Sequence, residues 1–310
     1  MDLAVVVVSW NTRQLLEQCL ASVYAHPPGR PFEVWVVDNA SVDGSAAWVG
    51  RRFPQARLIA NTENLGFARA NNQALRQSAA PFALLLNSDA ALQPGALAAL
   101  LACMEERLRA GIVGGTLLNP DGSFQASHGD FPRLFSQVLT FAGLARRVYG
   151  PHFPSHGPAS SDEPIRADWV GGACLMARRA AFEQVGLLDD NYFMYGEETD
   201  WCYRMRQAGW EVISLPAARC LHWGGQSSRQ VQSRTPARLA ATVCLFFAKH
   251  YGRGYALLFR LSIVLVGAAR TAIFGLLYLA SLARRAEWKT KTAAGWRLAA
   301  AGLRSCAPSI

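Results

Sequence analysis

The sequence predicts an α/β protein in which helices flank a doubly wound, mixed sheet, followed by a basic helical tail. Three observations support this fold class: short apolar runs alternate with helical patterns over residues 1–110, 51% of the 310 residues are hydrophobic, and the net charge of +9 is unevenly distributed. Strands and helices that alternate at this spacing are typical of a layered α/β sheet. The hydrophobic content is sufficient to fill a large core.

The first four strands are predicted from short runs of apolar and β-branched residues. They lie at residues 3–9, 32–37, 56–60 and 82–86, with helices over about 12–24 and 94–109. The fourth run is bounded by Pro81 and by Asn87-Ser88-Asp89, which is the pattern of a buried strand in a parallel sheet.

From Gly111 onwards the predicted segments are shorter. Residues 150–164 form a loop rich in proline, glycine and serine, and such a long loop predicts a lid or a binding loop. A strand is predicted over 168–176, with two glycines inside it where backbone or ligand can approach closely. A helix over 197–207 and a strand over 212–222 complete a first domain, residues 1–228.

The tail, residues 229–310, carries 13 Lys and Arg against one acid, Glu287, whereas residues 1–228 have a formal charge of −3. A basic, apolar tail on an acidic body indicates an anionic membrane surface as partner and not nucleic acid. The apolar stretch 257–282 is interrupted by Arg260 and Arg270, so its uncharged runs are too short for a clean membrane span. We expect an interfacial or shallowly inserted helix pair, with a buried packing helix as the alternative.

The start of the chain runs from Asp2 directly into four valines, without a basic leader or a cleavage-type segment. The seven cysteines are odd in number and show no close pairs at metal or redox spacing, which fits a reducing compartment. We therefore expect the body of the protein at the cytoplasmic face of a membrane.

Asp89 is the first candidate site residue, because it belongs to the polar segment Asn87-Ser88-Asp89 that ends the strand 82–86. Open α/β sheets bind ligands at the carboxyl ends of their strands. The alternative is that Asn87-Ser88-Asp89 caps a helix beginning near Pro94. The first strand is followed by Asn-Thr-Arg, which excludes a Gly-rich dinucleotide turn and a P-loop lysine at that position.

Two further groups suggest chemistry. Glu197, Glu198 and Asp200 lie at a predicted helix start, although acids are also favoured there by the helix dipole. His222 ends a predicted strand, where a lone histidine is more often structural. Together with Asp89, it would suit Mg²⁺ or Mn²⁺, with diphosphate oxygens filling the remaining positions.

The ordered motifs resemble the family 2 glycosyltransferases, and more narrowly their rhamnosyltransferase-type branch. The motifs are Val5-Val6-Val7-Val8-Ser9-Trp10-Asn11, Val37-Asp38-Asn39-Ala40-Ser41, Asn64-Leu65-Gly66-Phe67-Ala68, Asn87-Ser88-Asp89 and Tyr195-Gly196-Glu197-Glu198-Thr199-Asp200-Trp201. The resemblance spans about residues 1–228. It implies a GT-A fold, a nucleotide-diphosphate sugar donor, a divalent metal and inversion at the anomeric carbon.

By this resemblance, Asp38 would accept the N3–H of a uracil or thymine ring. Asp89 would be the metal-binding acid of an Asp-x-Asp-like motif whose first position is here Asn87, and His222 would be a second metal ligand. Glu198 would be the catalytic base, with Glu197 and Asp200 as alternatives.

The same motifs nominate further residues. Donor contacts are expected from Ser9, Asn11, Asn39, Asn64, Gly66, Asn87 and Ser88, and Gly172 would let the donor sugar approach the backbone. Trp169 and Trp201 either stack on an acceptor sugar or fill the core.

The expected activity is the inverting transfer of a sugar, L-rhamnose from dTDP-rhamnose, to a glycan that is lipid-linked, in cell-surface polysaccharide synthesis. The alternatives are another sugar, namely galactofuranose, mannose or N-acetylglucosamine, or a non-catalytic subunit that binds nucleotide sugars. The expected partners are a dTDP- or UDP-linked donor, the glycan acceptor and an anionic membrane surface.

Overall fold

The computed structural model describes residues 1–225, 235–281 and 285–303, apart from the side chains of residues 235 and 236. The chain divides into two compact units. The first comprises Met1–Phe131 and Pro154–Gln230, and the second comprises Pro132–Phe153 and Val231–Ile310. The domain boundary predicted at residue 228 lies outside the described residues.

The secondary structure follows the order of the chain. The strands are β1 (Leu3–Ser9), β2 (Phe32–Asp38), β3 (Arg57–Ala60), β4 (Phe82–Asn87), β5 (Ala90–Leu92), β6 (Ala110–Leu118), β7 (Phe124–Gln125), β8 (His128–Gly129), β9 (Ile165–Arg166), β10 (Trp169–Val170), β11 (Cys174–Arg178) and β12 (Glu211–His222). The helices of the first unit are α1 (Arg13–Ala25), α2 (Ser45–Arg52), α3 (Phe67–Gln77), α4 (Ala96–Glu106), α7 (Arg179–Val185) and α8 (Glu197–Gln207). Those of the second unit are α5 (Leu134–Ala142), α6 (Ala145–Tyr149), α9 (Thr235–His250), α10 (Arg253–Ala280) and α11 (Ala286–Leu303).

The main sheet of the first unit has the strand order β3-β2-β1-β4-β11-β6-β12-β5. The strands β3, β2, β1 and β4 are parallel, whereas β11 runs antiparallel to both β4 and β6. Strand β12 is parallel to β6 and antiparallel to β5. This arrangement confirms the predicted doubly wound, mixed sheet flanked by helices.

The two faces of the sheet are both covered, which explains the run of valines in β1. Val5 and Val7 pack in a core cluster with α1 and α4, whereas Val6 packs in a second cluster with α3 and α8. Strands buried on both faces read as continuous apolar runs. Polar side chains therefore collect at the carboxyl ends of the parallel strands, where the helices leave an edge of the sheet open.

The single strand predicted over 168–176 is wrong. Strand β10 pairs with β8 in a separate two-stranded sheet, whereas β11 is inserted between β4 and β6. Gly171 and Gly172 lie at the break between the two strands. Glycine has no side chain to pack and tolerates sharp changes of direction, so it weakens a strand and permits this transfer between sheets.

In the second unit, α10 is one continuous helix of 28 residues, so Arg260 and Arg270 do not break the apolar stretch 257–282. It is about 42 Å long at 1.5 Å per residue. By length and composition alone, α10 could cross a membrane. Its most apolar 18 residues have a mean hydropathy of 2.0, and 11% of them are buried.

The two arginines of α10 do not interrupt the helix, since both are used inside the second unit. Arg260 donates to the carbonyl oxygens of Gly302 and Leu303 at the end of α11. Arg270 donates to the carbonyl oxygen of Phe141 near the end of α5. Cations at these positions satisfy the last carbonyls of a helix and complement its dipole. From the sequence alone, the free-energy cost of the two arginines in an apolar helix was therefore overestimated.

The cysteines only partly follow the expectation of reduced thiols. Five of them are free and buried, namely Cys19, Cys103, Cys174, Cys202 and Cys220. Cys244 in α9 is disulfide-bonded, so the cysteines do not argue as a group for a reducing compartment.

Candidate active site

The parallel strands bring three of the predicted residues to one edge of the sheet. Ser9 at the end of β1 lies in register with Asp38 at the end of β2, and the neighbouring Val8 lies in register with Asn87 at the end of β4. Carboxyl ends of adjacent parallel strands form the ligand-binding edge of an open α/β sheet. The predicted donor-binding residues therefore start from a common edge.

Asp38 is buried with one carboxylate oxygen in use. Its Oδ2 accepts a hydrogen bond from the backbone N–H of Ser41 at 3.0 Å. Its Oδ1 is buried and has no hydrogen-bond partner among the described residues. A buried carboxylate oxygen without a donor is costly, so this position suits an N–H donor of a ligand.

Asn39 holds the loop 61–66 beside Asp38. Its side-chain amide donates to Asn64 Oδ1 at 2.8 Å, and its Oδ1 accepts from the backbone N–H of Leu65 at 3.1 Å. Asn64 Oδ1 also accepts from the backbone N–H of Gly66 at 3.0 Å. Asn39 and Asn64 thus use their amides to shape the loop that borders the sheet edge.

Gly66 joins that loop to the segment before α8. Its φ of +81° with ψ of −179° is a conformation that side chains rarely adopt. A Cβ at this position would overlap the carbonyl oxygen of Phe193, which accepts a hydrogen bond from the backbone N–H of Phe67 at 2.7 Å. The close approach brings the aromatic segment 192–195 to the sheet edge.

Ser9 and Ser88 belong to a buried cluster of hydroxyl groups. Thr12 Oγ1 lies 3.1 Å from Ser9 Oγ and 2.8 Å from Ser88 Oγ. Asn11 links the next loop, since its N–H donates to Ser41 Oγ and its Oδ1 accepts from the N–H of Val42. These contacts tie the ends of β1, β2 and β4 together, and sequence reasoning missed the central role of Thr12.

Asp89 and His222 lie together, with Asp89 Oδ1 3.2 Å from His222 Nε2. The reason is topological: β5 follows Asp89 immediately and pairs antiparallel with the end of β12, placing Ala90 opposite His222. Asp89 does not cap a helix, because β5 intervenes and the residue preceding α4 is Gly95. Asn87 Nδ2 lies 3.2 Å from the same imidazole nitrogen.

This pair fits a divalent cation shared with a ligand. A carboxylate oxygen and an imidazole nitrogen are ligands that Mn²⁺ accepts. Two ligands at adjacent positions of an octahedral ion, each about 2.1 Å from it, are about 3.0 Å apart. Within the described ranges, no group of three or more His, Cys, Asp or Glu side chains could hold a metal, so further ligands would come from the substrate and water.

Glu198 lies beside the turn that joins β10 and β11. A Cβ at Gly172 would lie 3.5 Å from Glu198 Cβ. The next residue, Ala173, accepts a hydrogen bond from the backbone N–H of Asn87 at 3.0 Å. One turn therefore contacts both the strand end beside Asp89 and the predicted catalytic base.

Burial raises the pKa values of both glutamates at the start of α8. For Glu198 the first cause is burial, and its Oε2 accepts from the backbone N–H of Gly196 at 3.1 Å. For Glu197 burial raises the pKa well above the usual value, and the nearby Glu198 adds to the effect. Glu197 Oε2 is buried without a partner among the described residues. A carboxylate with a raised pKa is a stronger proton acceptor when ionised.

Asp200 and Trp201 are not placed for the predicted roles. Asp200 is fully buried, and its Oδ2 accepts from Arg204 Nε at 2.8 Å, which makes it half of a structural ion pair within α8. Trp201 is also fully buried, and its indole N–H donates to the carbonyl oxygen of Gly186. Neither side chain has a surface with which to reach an acceptor.

Trp169 differs from Trp201, because its side chain is partly exposed. Its indole N–H donates to the carbonyl oxygen of Asp130 at 2.9 Å, which fixes the ring. It lies in β10, two residues before Gly171 and three before Gly172. Trp169 therefore stays the candidate for an aromatic contact with the acceptor.

The comparison with protein families identifies the class of this chain. A sequence model with the description "Glycosyl transferase family 2" matches residues 4–185, which is more than half of the chain. The chain belongs to glycosyl transferase family 2. A relative of this family 2 glycosyltransferase is the N-acetylglucosaminyl-diphospho-decaprenol L-rhamnosyltransferase of Mycobacterium tuberculosis, 32% identical over 269 residues, which cover 81% of this chain and 85% of the relative. The rhamnosyltransferase-type resemblance is thereby confirmed.

Solved structures show the same fold. The mannosyltransferase PcManGT from Pyrobaculum calidifontis, in complex with GDP-Man and Mn²⁺, aligns with a TM-score of 0.56 at 19% identity, covering 97% of this chain and 86% of that one. GalNAc-T7 with UDP, GalNAc and Mn²⁺ aligns with a TM-score of 0.56 at 16% identity, covering 78% of this chain but only 47% of that one. At these identities the likeness concerns the fold, which is of the GT-A type.

Glu198 and His222 lie beyond residues 4–185 that the family model matches. Their assignment therefore depends on the geometry described above.

Proposed function

We propose that this family 2 glycosyltransferase is an inverting, metal-dependent enzyme that transfers L-rhamnose from dTDP-rhamnose to a lipid-linked glycan at the cytoplasmic face of a membrane. The observations that support the proposal are the pairing of Asp89 with His222 and the position of Glu198 beside the turn that contacts the end of β4. Asp89 and His222 lie 3.2 Å apart, and the turn 172–173 contacts both Glu198 and the end of β4.

Asp38 and Glu198 would have separate roles in the reaction. Asp38 Oδ1 would accept the N3–H of the donor's thymine or uracil, because it is a buried acceptor without a partner in the described part of the chain. Glu198 would take the proton from the acceptor hydroxyl as that oxygen attacks C1 of the sugar. Attack from the side opposite the leaving group inverts C1, so no covalent intermediate with the protein is required.

Asp89 and His222 would hold the divalent cation, Mg²⁺ or Mn²⁺. When bound, such an ion neutralises the charge that develops on the departing diphosphate. Because Asn87 replaces a carboxylate in the Asp-x-Asp-like motif, Asp89 needs the second ligand that β12 supplies. The Mn²⁺ in the structures of PcManGT and GalNAc-T7 supports this assignment by analogy of fold.

The relative from Mycobacterium tuberculosis supports the choice of sugar and acceptor. Its name describes transfer of L-rhamnose to an N-acetylglucosaminyl-diphospho-decaprenol, and the relative is aligned over most of both chains. A lipid-linked acceptor also fits a protein with an apolar helix as long as α10. Thermal-shift measurements with dTDP, UDP and GDP, each with Mn²⁺, would rank the nucleotides by how much each raises the melting temperature. We expect dTDP to stabilise the protein most.

Membrane attachment is supported by the composition of the second unit. It carries 15 Lys and Arg residues against one acid, Glu287. Its exposed apolar side chains include Leu265 and Leu276 on α10, and also Phe135 and Val148 on α5 and α6. Exposed apolar groups beside basic residues favour a surface of anionic lipid.

The catalytic test is Glu198→Gln, which keeps the shape of the side chain and removes its basicity. We expect a loss of transfer of about 10²–10⁴-fold, the range typical of general-base catalysis, with unchanged affinity for dTDP. Glu106→Gln, an exposed position in α4, is the matched control and should retain full activity. Full turnover by Glu198→Gln would assign the base to another residue.

A further inference from the structure

The segment after β6 contains a side chain that contacts His222 and that the sequence analysis did not identify. Gln125 in β7 places its Oε1 2.6 Å from His222 Nδ1. Its Nε2 also donates to the backbone carbonyl oxygen of His222, at 3.3 Å. The Gln125 amide therefore contacts the ring nitrogen that faces away from Asp89.

The direction of this hydrogen bond is set by a chain of partners that begins at a carboxylate. Ser123 Oγ donates to Asp121 Oδ1 at 2.6 Å, and two hydrogen bonds from Ser123 lower the pKa of Asp121. Asp121 is therefore an acceptor, which leaves Ser123 Oγ to accept from Asn119 Nδ2 at 2.9 Å. Asn119 must then present Oδ1 to Gln125, whose Nε2 donates to it at 2.9 Å.

The consequence for the imidazole follows from the inventory of donors and acceptors. Since Gln125 Nε2 is committed to Asn119, Oε1 faces His222 and must receive a proton from Nδ1. When His222 carries one ring proton, that proton is therefore on Nδ1, and Nε2 presents a lone pair. Nε2 is the nitrogen that lies 3.2 Å from Asp89 Oδ1.

A lone pair and a carboxylate oxygen that face each other repel unless a cation lies between them. With the other tautomer, Nε2–H would donate to Asp89, and the pair would satisfy itself without a cation. The tautomer thus decides whether Asp89 and His222 form a metal site or a closed hydrogen bond. Asn87 Nδ2, which lies 3.2 Å from Nε2, can donate to the same lone pair. This contact agrees with the Nδ1–H tautomer, and a bound cation would replace it.

We infer that Gln125 is a positioning residue that holds His222 in the Nδ1–H tautomer and so prepares Nε2 to bind the divalent cation. The inference rests on the proposed function, in which His222 is a metal ligand. Partners that fix the second nitrogen of a ligating histidine change metal affinity by about 10- to 100-fold when they are removed. Asp121, Ser123 and Asn119 act through Gln125 by fixing the direction of its amide.

The first test measures binding of Mn²⁺ alone to the full-length protein, from the electron paramagnetic resonance signal of the free ion. We expect Gln125→Leu to weaken Mn²⁺ binding about 10- to 100-fold, because it removes the acceptor for Nδ1–H. Gln125→Glu keeps an acceptor at that position and should bind Mn²⁺ at least as tightly as the wild type. Rescue by the conservative variant distinguishes positioning from a general effect on folding.

Two further variants serve as controls for the change in Mn²⁺ affinity. Gln18→Leu makes the same chemical change on the exposed face of α1 and should leave Mn²⁺ binding unchanged. His222→Ala removes the ligand itself. If His222→Ala weakens binding but Gln125→Leu does not, this inference fails while the proposed metal site stands. If His222→Ala has no effect, or the wild type takes up no Mn²⁺ either alone or with dTDP present, both fail.

A second measurement needs no metal. Long-range ¹H–¹⁵N spectra of ¹⁵N-histidine-labelled protein, recorded where His222 carries one ring proton, report which nitrogen bears it. We expect the Nδ1–H pattern for His222 in the wild type and in Gln125→Glu, and a shift towards Nε2–H in Gln125→Leu. The Nε2–H pattern in the wild type would overturn the inference. His222→Ala assigns the signal.

Discussion

At the scale of single residues, Glu197 shows how the site is built at a cost to stability. Its side chain is buried, one oxygen has no partner among the described residues, and burial raises its pKa well above the ordinary value. The folded protein therefore binds this proton more tightly than the unfolded chain does. Stability must then fall as the pH rises from the ordinary glutamate pKa towards the raised value.

This pH dependence of stability predicts how Glu197→Gln differs from the wild type. The variant cannot lose a proton, so its melting temperature should exceed that of the wild type at pH 8, and the difference should shrink as the pH is lowered towards 4.5. Thermal melts across this range check the prediction. Glu17→Gln, on the exposed face of α1, should show no such divergence. A Glu197→Gln variant that is less stable at pH 8 would show that the carboxylate is stabilised by partners.

The sequence predicted the residues at strand ends better than it predicted their partners. Asp38 and Asp89 could be found from short-range pattern, since Asp38 ends one apolar strand and Asp89 follows another after two polar residues. The structure puts both at the sheet edge. Gln125 and Thr12 could not be found in this way, because their contacts join segments 97 and 76 positions apart. Trp201 and Asp200 look functional in sequence, but the helix turns them into the core and towards Arg204.

At the scale of elements, periodicity predicted those strands and helices that carry their own pattern. Strand β1 and helix α8 were expected at the positions where they occur, because a run of valines and an acidic helix start are local signals. Strands β10 and β11 were merged, since their separation is decided by pairing with β8 in one case and with β4 and β6 in the other. The apolar stretch of α10 was predicted to be too short for a clean membrane span because of Arg260 and Arg270, whose charges are satisfied by tertiary contacts.

At the scale of elements, Gly66 joins the loop at the sheet edge to the segment before α8. We expect Gly66→Ala to weaken binding of dTDP and to destabilise the protein by about 1–3 kcal/mol, because the alanine Cβ would meet Phe193 and the φ of +81° is unfavourable. The measurements are isothermal titration with dTDP and thermal unfolding.

Gly50→Ala is the matched control for that substitution. Gly50 lies within α2, and a Cβ there meets nothing within 4 Å. Alanine should stabilise a helix at such a position by up to about 1 kcal/mol and leave binding of dTDP unchanged. Equal effects of the two alanine substitutions would show that the contact between Gly66 and Phe193 does not shape the donor site.

At the scale of the whole molecule, charge separates the two units. The first carries 16 Arg against 21 acids, a formal charge of −5, whereas the second has a formal charge of +14. The second unit also gathers residues 132–153, with Arg146 and Arg147 in α6, which the linear sequence places far from the tail. The charge contrast along the sequence was visible, but the contribution of α5 and α6 depends on tertiary contacts.

If the second unit attaches to a membrane as proposed, polar substitutions on its exposed apolar face should weaken that attachment. Leu265 and Leu276 of α10 are 71% and 68% exposed, and burying one leucine side chain in an apolar medium contributes about 1.5–3 kcal/mol. The double variant Leu265→Gln/Leu276→Gln should therefore bind vesicles at least about tenfold more weakly. Flotation with phosphatidylcholine vesicles, with and without phosphatidylglycerol, measures this, and the anionic lipid should strengthen binding of the wild type.

The control for this variant changes exposed apolar residues of the first unit. Val42 and Leu108 are 90% and 75% exposed, so Val42→Gln/Leu108→Gln alters surface hydrophobicity to a similar degree without touching the basic unit. It should float like the wild type, because the first unit is acidic and would be repelled by phosphatidylglycerol. Equal loss of flotation in both double variants, or full flotation of the α10 variant, would place the membrane contact elsewhere. Transfer to a water-soluble acceptor should survive in the α10 variant, since Leu265 and Leu276 belong to the second unit, whereas Asp38, Asp89 and Glu198 belong to the first.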